Sequence, residues 1–191
     1  EAVQIKKKLD EFTKQVDAFK QDFKANLPYT YDDASTIEEI RGKYLVIDEY
    51  YSKLQGFEDI AKHNAELENL FELEPRQYKP LKECLADLKN LKTLWDMISL
   101  VNLQYNDWKG KLWRQIKADM MLDQNKFFQV QTKALPKEVK ALKGYQVLND
   151  KIQNMQVVLA LVESLRGEYM EDRHWKQLKD KTSSDFDQKS A

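Results

Sequence analysis

Between Pro80 and about Lys117 the apolar residues Leu81, Leu85, Leu88, Leu91, Trp95, Ile98, Val101, Tyr105, Trp108, Leu112 and Ile116 recur every three or four positions. That is the 3.6-residue period of one amphipathic helix, with no proline inside it. Such a helix would be roughly 55 Å long at 1.5 Å per residue, against the roughly three turns of an average globular helix. Trp95, Trp108 and Trp113 lie in this stretch, leaving only Trp175 outside it. The rest of the chain reads as helices that need a long partner.

The first of these carries Ile5, Leu9, Phe12, Val16, Phe19 and Phe23, a heptad seam that Pro28 ends. Thr36 with Glu39, or Ser35 with Glu38, forms a capping box that opens a second helix over residues 37–71. Its stripe includes Ile40, Tyr44, Ile47, Tyr51, Leu54, Ile60 and Asn64, and Gly42 or Gly56 marks a bend. After the long helix, Asp119 is read as the N-cap of a short one carrying Met120, Met121, Phe127, Phe128 and Val130. Another helix runs from Pro136 to about Arg166, and a last one from Met170 to Lys179. No strand pattern emerges. The expected fold is all-α, an elongated bundle of long antiparallel helices at 1–118, short helices at 119–182 and a frayed tail at 183–191. A spectrin-type repeat gains little support, because 119–191 is not a second copy of the first three helices.

Composition narrows the function. One third of the residues are charged, yet the net charge is −1, which argues against nucleic acid or an anionic membrane as partner. No apolar run approaches the roughly 18 residues of a membrane span, and no secretory leader is expected. The sequence starts at Glu1 in mid-pattern, so it is expected to be a piece of a longer chain. A single cysteine, Cys84, fits a reducing compartment.

Motifs of chemistry are few. The five glycines are scattered singly, and neither a phosphate loop nor a dinucleotide fingerprint is present. Two histidines and one cysteine make a poor zinc set, and Cys84 sits in a Leu-rich pattern suited to a buried thiol. A di-metal bundle needs paired Glu-x-x-His motifs on facing helices; Glu171 and His174 supply one, and Ile60 stands where His63 would need its glutamate. An enzyme therefore ranks last. The basic, Trp-bearing stretch 108–117 resembles a calmodulin-type target, but its apolar positions continue the long stripe and read as core. The segment Arg173-His174-Trp175 offers a cation–π or charge-assisted contact to a neighbouring helix.

That segment, followed by Lys176-Gln177-Leu178, resembles the Arg-His-Trp signature of dynein heavy chains. Upstream, Asn69-Leu-Phe-Glu72, Tyr78-Lys-Pro-Leu-Lys-Glu-Cys84 and Leu91-Lys-Thr-Leu-Trp-Asp-Met-Ile98 recur in matching order, as do Trp108, Trp113, residues 135–139 and Ile152-Gln-Asn-Met155. The likeness runs from about Leu27 to Thr182 and is strongest to axonemal outer-arm chains of the β class. Leu142, where relatives often place tryptophan, and the helix-loosening Gly144 depart from the pattern.

The resemblance implies a non-catalytic mechanical segment that joins the tail of an ATP-driven microtubule motor to its linker, with residues 119–182 leading into the linker. ATP and Mg belong to the motor ring, so no cofactor, catalytic residue or metal is expected within these residues. Trp95, Trp108 and Trp113 are expected to lock the bundle core, and Arg173, His174 and Trp175 to fix the last helix against it. Partners would be the rest of the heavy chain and other heavy, intermediate or light chains, with no nucleic acid and no membrane. The location would be the cytoplasm and the cytoskeleton of the ciliary axoneme. The competing reading is an interaction module that docks a light chain, a neighbouring heavy chain or a docking factor, with the seam at residues 5–23 as its partner surface.

Overall fold

The computed structural model describes residues 2–186, and the end of the expected tail, 187–191, lies outside them. Among the described residues there are seven α-helices and no strand: α1 (Ala2–Asn26), α2 (Ile37–Leu70), α3 (Lys79–Lys109), α4 (Ala118–Lys133), α5 (Lys137–Lys140), α6 (Lys143–Leu165) and α7 (Asp172–Thr182), with a 3-10 turn at Trp113–Gln115. The all-α expectation holds. Two compact units divide the chain, Glu1–Asp96 and Met97–Ala191, and the boundary falls inside α3.

In the first unit, Leu9, Phe12, Val16, Phe19 and Phe23 of α1 are buried, as the heptad seam requires. Phe12 and Phe19 pack on Phe57, and Phe23 meets Tyr50 edge-on. The α1 index rises as the α2 index falls, so these helices run antiparallel. Thr36 closes the expected capping box with Glu39, tying down donors that the first turn of α2 leaves unpaired. Two stripe positions differ from expectation. Tyr51 and Ile60 are exposed, and Tyr50 takes the buried place, its hydroxyl donating to Asp22 at 2.8 Å.

Glu68, almost wholly buried, organises the link from α2 to α3. Its carboxylate accepts the Arg76 backbone N–H at 3.0 Å and lies 3.6 Å from the Arg76 guanidinium, which also reaches Asp10 at 2.9 Å. The α3 side chains Leu81, Cys84, Leu88, Leu91, Leu94 and Trp95 complete this core.

The second unit is built on α4 against α6, with Met121, Leu122 and Leu159 as a cluster that Trp108, Ile116 and Met155 cover. Three helix boundaries correct the sequence reading. α3 ends at Lys109 rather than 117, because Gly110 weakens the helix by about 1 kcal/mol relative to Ala and Trp113 gains tertiary partners by leaving it. Asp119 lies inside the first turn of α4, where a carboxylate suits the helix dipole, and is not its N-cap. The helix expected over 136–166 is broken at Leu142, whose backbone is extended, just before the buried Gly144. On α4 the core face is Ala118, Met121, Leu122, Asn125, Phe128 and Thr132, which leaves Met120, Phe127 and Val130 exposed.

Candidate functional site

Trp95 is the anchor of the first unit. It is fully buried, its indole N–H donates to the Pro28 carbonyl at 2.9 Å, and the Tyr31 ring meets it edge-on. A tryptophan in a core needs such a partner for its one donor. Here that partner is the connector that Pro28 begins, so α3 holds the α1–α2 link in place.

Trp108 is half-buried in the second unit and stacks on Tyr105, with ring centroids 5.2 Å apart. Tyr105 opens a buried polar chain. Its hydroxyl donates to Asn125, whose amide donates to the Ile152 carbonyl and to Gln156, each at 3.1 Å. Buried Asn102 donates to the Ile98 carbonyl at 2.8 Å and accepts from Lys151 at 2.7 Å. The network thus ties α3 and α4 to α6. Asn125 sits at a core-spaced position among Ala118, Met121, Leu122 and Phe128, a signal that the apolar stripe alone passes over.

Trp113, off the end of α3, is half-buried and meets Trp175 of α7 edge-on. The Arg166 guanidinium lies 5.7 Å from the Trp113 ring centroid and donates to the Trp113 carbonyl. A cation–π contact at Trp113 is thus made by Arg166, outside the Arg173-His174-Trp175 segment that the sequence pointed to. Arg173 is exposed and pairs with Glu171 at 2.6 Å, and the His174 Nδ1 accepts the Glu171 backbone N–H at 3.1 Å. Both serve the first turn of their own helix. Trp175 alone of that triplet reaches a neighbouring element.

Between α6 and α7 lies an open apolar cleft of about 460 Å³, lined chiefly by Trp113, Leu161, Leu165, Trp175, Leu178 and Phe186. Among the described residues no group of three or more His, Cys, Asp or Glu is placed to hold a metal ion, and no helix is long and apolar enough to cross a membrane. The unpaired thiol of Cys84 is buried, and burial raises its pKa, which keeps it protonated.

Close packing, buried hydrogen bonds and one open apolar cleft define a helical structural module. Residues 81–191 match the family described as dynein heavy chain, N-terminal region 2. The chain belongs to the dynein heavy chain family, and the part of that family it represents is the N-terminal, tail region. It is 30% identical over 194 residues to the dynein beta chain of the flagellar outer arm of Chlamydomonas reinhardtii, a match covering 97% of this chain and 4% of the relative. Dynein axonemal heavy chain 17 of Mus musculus is 30% identical over 183 residues, and the ciliary dynein beta chain of Tripneustes gratilla 30% over 182, covering 96% and 95% of this chain and 4% of each relative. The chain thus spans about 4% of the length of these relatives. Its setting, like theirs, is the cytoskeleton of the ciliary axoneme.

Proposed function

We propose that this segment is a non-catalytic mechanical element that joins the tail to the linker of an ATP-driven microtubule motor and passes force along the heavy chain. The observation that carries this reading is α3. One helix, without glycine and with its only proline at its second residue, supplies buried side chains to both compact units: Leu88, Leu91 and Trp95 to the first, Ile98, Val101 and Tyr105 to the second. Breaking such a helix means breaking the packing on either side of the boundary as well as its own hydrogen bonds. ATP and Mg are then needed only elsewhere in the heavy chain, and these residues hold no cofactor.

The test is a Gly-Gly-Gly insertion between Asp96 and Met97 in the whole heavy chain. ATP turnover should stay near that of the unmodified motor, whereas microtubule gliding under load should fall severalfold. Unchanged gliding would exclude force transmission through α3. Loss of other subunits from the assembled motor, with gliding by the isolated heavy chain intact, would favour the interaction-module reading.

A further inference from the structure

We propose that the cleft between α6 and α7 docks an amphipathic helix of another protein, one whose apolar stripe is flanked by acidic residues. This goes beyond force transmission and does not depend on it. The cleft is open, since Leu161 on its wall is 60% exposed. Its apolar surface does not stop at the cleft. Val157 and Val158, 71% and 50% exposed, extend it along α6. Positions 157, 158, 161 and 165 form a strip at helical spacing about 12 Å long. A long shallow strip beside a cleft suits a helix laid in a groove rather than a small molecule.

Charge selects among helices. On α7, Lys176 and Lys179 lie to one side of the face that carries Trp175 and Leu178, and Lys181 lies to the other. Lys179 stands over the Phe186 ring and Arg166 over Trp113, so the aromatic ends of the cleft are capped by cations. Asp172 and Asp180 on α7, with Asp185 beside Phe186, oppose them but leave Arg166, Lys176, Lys179 and Lys181 in excess. The α6 flank is neutral, with Gln153, Asn154, Ala160 and Ser164. The rim therefore has an excess of positive charge that acidic flanks would complement. A second copy of this chain is the wrong occupant, because a two-fold interface would bring this cationic rim against itself.

The test uses residues 1–191 and two synthetic helical peptides with the same leucine stripe, one flanked by glutamate and one by lysine. Calorimetry, together with emission from Trp113 and Trp175, should give binding of the glutamate peptide at least about tenfold tighter than the lysine peptide, weakening as salt is added. Leu161→Asp, at an exposed position, should abolish binding while leaving the helical circular dichroism intact. Lys179→Glu should shrink the preference between peptides, and Val130→Asp on the exposed face of α4 should change nothing. Equal binding of the two peptides, binding of neither, or binding insensitive to Leu161→Asp would overturn the proposal. So would a concentration-dependent dimer that Leu161→Asp abolishes. Protection of Trp175 from iodide quenching in the whole heavy chain without other subunits would also overturn it, because the occupant would then come from the same chain.

Discussion

Trp175 meets Trp113 edge-on, with ring centroids 5.8 Å apart and planes at 89°. The contact joins α7 to the turn that follows α3, two segments that chain order separates by α4, α5 and α6. Phe186 also meets Trp175 edge-on, at 6.1 Å and 84°.

Because Trp175 is half-buried, Trp175→Ala should cost about 1–2 kcal/mol, less than the 3–5 kcal/mol expected of a fully buried tryptophan. A double-mutant cycle with Trp113→Ala should return a coupling of about 0.5–1.5 kcal/mol, the range of aromatic pairs. Denaturant unfolding of the four variants measures it. Strict additivity would mean that the two rings do not support one another.

Trp95→Ala should be the most damaging tryptophan substitution, by about 3–5 kcal/mol, since it empties a packed site in the first unit. Trp95→Phe keeps much of the volume but leaves the Pro28 carbonyl without its donor, which should cost about 1–3 kcal/mol. Thermal unfolding followed by circular dichroism ranks the two. A Trp95→Phe variant as stable as the unsubstituted chain would show that the hydrogen bond to Pro28 contributes nothing.

Asn125→Ala removes the buried acceptor of the Tyr105 hydroxyl and leaves a hole between α4 and α6, so about 2–4 kcal/mol should be lost. Replacing both partners with apolar groups should be far milder. Tyr105→Phe combined with Asn125→Leu should recover most of that loss in denaturant unfolding, because no buried donor is left unmade. Failure of the pair to recover would point to packing around Asn125, rather than its hydrogen bonds, as the source of stability.

The legible parts of the fold are those where local and tertiary demands agree. The α1 seam and the α3 stripe through Tyr105 follow from spacing alone, and a capping box at the start of α2 from its residue types, with Thr36–Glu39 chosen over Ser35–Glu38 only in the fold. The end of α3 does not, because Leu112 and Ile116 keep the helical period after Gly110 has broken the helix. What decides there is distant: Arg166 and Trp175 offer Trp113 more than one further helical turn would. Arg173 is settled locally. Glu171, two residues away, satisfies it before any neighbouring helix does. The cleft itself depends on α6 and α7 lying side by side, a relation that periodicity within either helix cannot supply.

The first unit should weaken in alkali, and the cause is burial. Desolvation pushes Tyr29 up to about 12, with the Asp87 charge adding to it, and burial likewise raises Tyr50, Tyr78 and Cys84. A folded pKa above the unfolded one means that stability is fully present below the unfolded value. For these groups that value is about 8.5 for the thiol and about 10 for the phenols. Their contribution is then lost as pH climbs through the folded values, since the unfolded chain ionises first. The Lys20–Glu83 pair changes little in this window, because it is partly exposed and screened by solvent. Urea unfolding between pH 7 and 12 should therefore give a flat region up to about 8 and a decline beyond it. Tyr29→Phe, which cannot ionise, should make the decline between about 10 and 12 shallower without altering its onset. An unchanged slope in that variant would mean that Tyr29 is as well solvated in the folded chain as in the unfolded one.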